Sequence, residues 1–344
     1  MRQSVVHALL AAVLFGASTP FAKLLTGAVS PLLLAGLLYL GSGIGLTLAR
    51  LIRDRGWKPA GLSHSEWPWL WGAIFVGGML GPAALMFGLT MASGSTASLL
   101  LNLEAVLTAV IAWVVFKENA DRRMVLGMIV IVAGGIVLSW PAGEKSGAAG
   151  WLGPLAVAAA CLCWAIDNNL TRKVSGADIF FIAAAKGTAA GVVNTCLALS
   201  LGAKVPDGGA ILAAMSVGLF GYGISLLLFV LALRGLGAAR TGAYFSTAPF
   251  VGAVVSLVLL GESTSPVFWL AALLMGWGVW LHLTEHHAHE HWHEPVEHAH
   301  SHAHDEHHQH EHDCDHAPHD SRHKHATMAH EHPHFPDIHH RHPH

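Results

Sequence analysis

Between residues 4 and 284 the chain is a string of apolar stretches about 20 residues long, separated by short polar breaks. That is the length an α-helix needs to cross a bilayer. The stretches also repeat. Ser95–Glu118 slides onto Ala239–Glu262 without a gap at an offset of 144 residues, which puts Glu118 on Glu262, Ala105 on Pro249 and Gly134 on Gly278. In each copy an apolar span ends in a Glu, a short polar break follows, and a second apolar span begins. A repeat at that distance predicts two copies of one membrane unit. With 53% hydrophobic and 12% charged residues, a sizeable soluble domain before residue 285 is excluded. A net charge of −3 gives no reason to expect a nucleic-acid partner.

The expected fold is an all-α polytopic membrane protein of ten transmembrane helices, arranged as two inverted five-helix repeats and followed by a disordered tail. The spans fall at about 4–26, 31–51, 69–91, 95–116 and 122–140, then 151–171, 178–201, 211–233, 241–260 and 266–284. The first repeat is 1–140, the second 150–284 and the tail 285–344. Thr19-Pro20 is expected to kink the first span, because Pro removes a backbone donor. Basic residues set the orientation. With the N-terminus inside, inner loops carry Arg50, Arg53, Arg55 and Lys58, then Lys117, Arg122 and Arg123, Arg172 and Lys173, and Arg234 and Arg240; outer loops carry Lys23, Lys145 and Lys204. Both termini are thus expected in the cytoplasm. Five spans per copy is an odd number, so the second copy is inverted. That symmetry puts a substrate site near the midplane between halves.

Ionisable groups at membrane depth are costly and usually functional. Glu104 lies near the middle of the fourth span, beside Asn102. A desolvated carboxyl there suits proton coupling or cation binding. Asp167 and Asn168 form a polar cluster with Asn169 in the sixth span, and Lys186 lies at similar depth in the seventh, which predicts a salt bridge. Tyr244 and Ser246 complete the substrate or coupling candidates, and Asn194 and Tyr222 are further candidates for the cavity wall. Glu118 and Glu262, at helix ends, are expected to cap or tether loops, and Lys23 to snorkel to the headgroups. GGMLG at 77–81 and GLFGYG at 218–223 offer close helix approach and hinges. No phosphate-binding loop and no nucleophile–base arrangement occurs, so no enzyme is expected.

Two repeats, starting in LFGASTPFAK (14–23) and LCWAIDNNLTRK (162–173) and carrying Phe116-Lys117-Glu118 and Leu260-Gly261-Glu262 at the ends of their fourth spans, resemble the EamA family of the drug/metabolite transporter superfamily. The resemblance implies a secondary transporter of the inner (plasma) membrane, often an exporter of amino acids or other small metabolites. It also implies a central cavity lined by the first four helices of each repeat, with the fifth and tenth helices peripheral. Glu104 departs from the family, which more often has an apolar residue or Pro there.

After Thr284 the composition changes. Residues 286–344 hold 24 of the 27 histidines, with eleven Asp or Glu against three Lys or Arg. The His-x-His and His-His pairs, with carboxylates between them, are a metal-binding composition. The candidate ligands are His286, His287, His289, His291, His293, His298, His300, His302, His304, His307, His308, His310, His312, Cys314 and His316. The expected ions are Zn, Ni or Co, bound by the tail and not required for transport. Protonating these histidines would reverse the tail's charge, so pH sensing is a rival role. The expected partners are a small-molecule substrate, the lipid bilayer and divalent metal ions, and a homodimer is compatible with the sequence. The leading expectation is a small-metabolite exporter with a metal-binding cytoplasmic tail. The alternatives are a divalent-metal efflux transporter that collects ions on the tail and a metal- or pH-sensing membrane protein.

Overall fold

The computed structural model describes residues 2–116, 122–140, 148–174, 177–236 and 238–283, together with 288–293, 297–301, 320–324 and 328–333. The chain divides into two units, Met1–Glu285 and His286–His344. The first is helical wherever it has regular structure. It runs α1 (Arg2–Leu25), α2 (Pro31–Asp54), α3 (Trp67–Ala73), α4 (Gly81–Met91), α5 (Gly94–Leu100), α6 (Leu103–Phe116), α7 (Arg122–Ser139), α8 (Ala148–Arg172), α9 (Ile179–Ser200), α10 (Gly208–Gly218), α11 (Ser225–Leu236), α12 (Ala238–Phe245), α13 (Ala248–Leu260) and α14 (Pro266–Leu283). Among the described residues eight helical stretches are long and apolar enough to cross a membrane, the last being Gly208–Ala232. Ala248–Leu260 and Pro266–Leu281 are apolar but shorter.

Local chemistry sets the helix ends. Pro31 starts α2, where its missing N–H has no helical acceptor in any case. The Asp178 carboxylate caps the Phe180 amide at the start of α9 (2.9 Å), and Asp207 caps Gly209 and Ala210 at the start of α10. Side chains that face outward are apolar: Ile52, Leu201, Leu212 and Val258 are all more than 65% exposed. Such a surface fits lipid and would be a liability in water.

Two spans contain a wider π-helical turn, Ile74–Leu80 between α3 and α4 and Leu219–Ile224 between α10 and α11. Two others break outright. The fourth span of the first repeat stops at Leu100 and restarts at Leu103, and its counterpart stops at Phe245 and restarts at Ala248. The offset of 144 carries Asn102 onto Ser246, so both breaks fall at the same place in the repeat.

Interhelical packing uses small residues. α2 lies along α9, and a Cβ on Gly187 would sit 2.7 Å from the Gly43 Cα. Only glycine permits that backbone approach. Pro20 leaves the Gly16 carbonyl without its helical donor, and Gly16 lies against Ala248 and Gly252 of α13. α7 and α14 pack on each other.

The second unit, taken by itself, pairs β1 (Ala288–His293) with β4 (Met328–Pro333) and β2 (Glu297–Ser301) with β3 (Asp320–Lys324), both antiparallel. Composition alone predicts no regular structure here. The alternation of His with other residues, weighed as ligand spacing, also has the two-residue period of a strand. His289, His291, His293, His298 and His300 lie on these strands. His286, His287, His302, His304, His307, His308, His310, His312, Cys314 and His316 lie outside the described residues.

Candidate functional site: a cavity between the repeats

At one end of the helical unit the two repeats are joined. α5 packs on α13, with Gly94 against Ser256 and Gly252 against Ser98. Glu262, just past α13, accepts hydrogen bonds from the Gly94 amide (2.6 Å) and the Ser95 amide (2.9 Å) at the start of α5. A carboxylate on the first amides of a helix is favoured by both hydrogen bonding and the helix dipole. This is the tether role expected of Glu262; Glu118 lies outside the described residues. Lys23 does not rely on the headgroups. Its ammonium donates to the carbonyls of Leu89 and Ala92 (2.8 Å to Ala92), at the C-terminal end of α4, where a cation is favoured.

Away from this seam a cavity of about 520 Å³ runs along α6 from the break at Leu101 and Asn102 to Trp113. α12 contributes Gly242 and Phe245 to its wall, and α13 contributes Ala248 and Pro249. The cavity also reaches Met124 and Ile131 of α7 and Val279 of α14. The family resemblance implied that those two helices would be peripheral, yet each contributes side chains to this wall. A second cavity, of about 310 Å³, lies towards α2, α9 and α11, and both are lined by Phe15, Glu104, Asn168 and Phe245.

Glu104 occupies the first turn of α6. Asn168 of α8 donates its amide to Glu104 Oε1 at 2.9 Å and reaches Thr108 Oγ1 at 3.4 Å. Asn102 is buried, lines the larger cavity and donates to the Leu99 carbonyl (2.8 Å) across the break. The expected salt bridge forms: Lys186 Nζ lies 2.6 Å from each Asp167 oxygen and 3.2 Å from Thr171 Oγ1, which itself donates to Asp167 at 2.8 Å. Ser246 lines the larger cavity and Tyr222 the smaller. Tyr244 lines neither; its carbonyl accepts the Thr247 hydroxyl at 2.7 Å. Asn194 is buried away from both and donates to Met79.

Residues not singled out from the sequence complete the walls. The π-helical turn presents the Gly77 carbonyl to Tyr39 (3.3 Å) and to the Trp164 indole (3.0 Å). A Cβ at Gly77 would collide with the Asp167 carboxylate, so glycine here admits the acid to the cavity edge. Insertions of this kind are frequent at functional sites. The signal in the sequence was the glycine pair of GGMLG, which gives the close approach but not the residue approached.

At the opposite end from the Glu262 seam, a second tie joins the repeats. Asp178 accepts from Arg50 Nε (2.9 Å) and Arg53 (2.6 Å), and Arg50 also donates to the Lys58 carbonyl. The guanidinium groups lie over Trp57, Phe181 and Phe180. Partial burial raises the Asp178 carboxyl, but the hydrogen bonds from Arg53 and Arg50 outweigh it and hold the group below the ordinary carboxylate value.

A repeated, broken-helix membrane unit with a carboxylate-bearing cavity between its halves is the architecture of a solute carrier. The chain belongs to the EamA-like transporter family, whose description fits residues 3–140 and again 151–284. This is a family of transporters and not of enzymes. An "Uncharacterized transporter" of Methanothermobacter thermautotrophicus is 25% identical over 286 residues, covering 79% of this chain and 83% of that protein. The "Probable 4-amino-4-deoxy-L-arabinose-phosphoundecaprenol flippase subunit ArnE" of Pseudomonas paraeruginosa is 35% identical over 106 residues, which is 31% of this chain but 88% of that protein. A relative of roughly one repeat in length agrees with the repeat as the structural unit. A solved crystal structure, described only as that of a protein, superposes with a TM-score of 0.62 at 21% identity, covering 82% of this chain and 98% of its own. It shares the fold.

Proposed function

We propose that the chain is a secondary active transporter exporting a small organic metabolite across the inner membrane. It would do so with ten spans in two inverted five-helix repeats and both termini in the cytoplasm. The observation that carries this is the contrast between the two ends of one span. α5 is sealed against the other repeat, while α6, beyond the break, lines a cavity with Glu104 at its wall. With the basic loops inside, the sealed end is the outer one and the cavity faces the cytoplasm. Alternating closure of the two ends would move cargo past Glu104, which is placed to take a proton or a cationic cargo. The test is flux in vesicles reconstituted with the full chain, with and without a pH gradient. Glu104→Gln should abolish gradient-driven flux; unchanged flux in that variant refutes the coupling role.

The tail, on this reading, binds Zn, Ni or Co at the cytoplasmic face and regulates or buffers without carrying the transport reaction. Metal efflux is the weaker reading, because among the described residues no three metal-ligating side chains come together. Deleting 286–344 should remove divalent-ion binding from the purified protein and leave vesicle flux of the organic cargo intact. If that deletion instead lowers cellular tolerance of nickel, cobalt or zinc together with Glu104→Gln, the cargo is the metal.

A further inference from the structure

Resting on the transporter reading, the walls of the cavity narrow the class of cargo. The larger cavity contains a single charged side chain among its described lining residues, Glu104; the rest of the wall is apolar or neutral. Among the described residues, Oε1 accepts the Asn168 amide and Oε2 has no hydrogen-bond partner. The smaller cavity adds Asp167 and Lys186, but these neutralise each other at 2.6 Å. Across both spaces, ionised Glu104 is therefore the uncompensated charge. A lone carboxylate in apolar surroundings is stable only with a cation or a proton beside it.

The remaining lining sets what kind of cation fits. Phe15 and Phe245, their rings 5.4 Å apart, stand in the wall of both cavities next to Glu104. Trp113 lines the larger one towards the C-terminal end of α6, and Tyr39 and Tyr222 (5.6 Å apart) line the smaller. Aromatic faces near a carboxylate favour an organic ammonium, through cation–π attraction and burial of its carbon body. The cavity volumes match small molecules. A bare metal ion would find Glu104, the lysine-paired Asp167 and amide groups, with no His or Cys among the described lining residues of either wall.

An anionic cargo finds no equivalent. Lys186 is held by both Asp167 oxygens. The start of α13 reaches the larger cavity, but Pro249 has no amide proton, and the Phe250 and Val251 amides already donate to the Thr247 carbonyl (3.1 and 3.0 Å). We infer that the cargo is an organic ammonium with an aromatic or branched apolar body, its charge on Glu104 and its body against the contacting rings of Phe15 and Phe245.

The experiment uses the purified full chain in detergent, with three near-isosteric probes followed by calorimetry: phenethylammonium, phenethyl alcohol and phenylpropionate. Phenethylammonium should bind at least tenfold more tightly than either of the others. Glu104→Gln should lose at least tenfold in affinity for it, and Glu104→Asp should recover part of that loss. The Asp178→Asn variant, whose side chain lines neither cavity, should keep it. Equal affinity for phenylpropionate, unchanged affinity in Glu104→Gln, or no binding of the ammonium by wild type overturns the inference. The same probes in reconstituted vesicles separate the two levels. Chain-dependent flux of phenylpropionate without flux of the ammonium leaves a transporter but removes the cation site. Glu104-dependent binding of the ammonium without chain-dependent flux keeps the site and removes the transporter.

Discussion

Removing one partner of the Asp167–Lys186 pair is expected to cost far more stability than removing both. The two side chains are 8% and 18% exposed, and both oxygens lie 2.6 Å from the ammonium. Lys186→Met leaves Asp167 with the Thr171 hydroxyl as its remaining side-chain donor among the described residues. Asp167→Asn leaves a buried ammonium facing a neutral amide. Breaking a buried pair from one side typically costs about 3–5 kcal/mol, whereas replacing both by neutral groups of similar size is often neutral. Because the pair lines a cavity, the lower end applies, about 3 kcal/mol for each single change. The double variant should return close to wild type, giving a coupling energy of about 3 kcal/mol. The assay is reversible denaturant unfolding of the detergent-solubilised protein, followed by intrinsic tryptophan fluorescence. Single-variant losses that add within about 0.5 kcal/mol would show that the two residues do not act as a pair.

Three further outcomes are expected. Asp178 is held below the ordinary carboxylate value by its arginines, so its contribution is present above about pH 4 and lost as pH falls through the folded value; the thermal stability gap between wild type and Asp178→Asn should be constant above about pH 5 and shrink steadily as pH is lowered below about 4. Gly187→Ala puts a methyl 2.7 Å from the Gly43 Cα and should cost about 1–3 kcal/mol by forcing helices apart, while Gly208→Ala, with nothing within 4 Å of the new atom, should be near neutral in the same unfolding assay. Gly94→Cys combined with Ser256→Cys brings two β-carbons to 3.3 Å, a few tenths of an ångström short of the usual disulfide range of about 3.5–4.5 Å; oxidation should stop vesicle flux and reductant restore it, and a crosslinked protein that transports at the wild-type rate would show that the α5–α13 seam does not open.

The helical membrane fold and the repeat were legible because hydropathy over 20 residues and an ungapped offset are properties of the chain alone. The Asp167–Lys186 pair was legible because depth in the membrane can be counted from a shared loop. The Glu104–Asn168 contact was not, since it depends on how α6 and α8 are rotated about their axes. Tyr244 shows the same limit: its depth was right, but its side of the helix was not given by depth. The break at Leu101–Asn102 carries no proline or glycine, so 95–116 read as one continuous span. The turn at 74–80 widens the helix without interrupting its apolar run, and so leaves hydropathy unchanged. Lys23 was correctly placed near a helix end, but its partners are carbonyls 66 and 69 residues away in sequence.

The α5–α13 seam also says something about balance. The Ser98 and Ser256 hydroxyls are buried in it without a hydrogen-bond partner, and each such group typically costs about 1–3 kcal/mol. Opening the seam would rehydrate both. In the repeat these positions correspond to Gly242 and Ala112, and the amides that Glu262 holds correspond to those of Ala238 and Ala239, with Glu118 in the place of Glu262. A transporter that closes each end in turn would thus possess the same carboxylate clasp on both faces but strand the hydroxyls on only one. On the transporter reading, the closure that would seal the cavity lacks the penalty that the present seam bears. The resting preference for one face is then written in two serines remote from the cargo, where substitution would retune the direction the protein faces without touching what it carries.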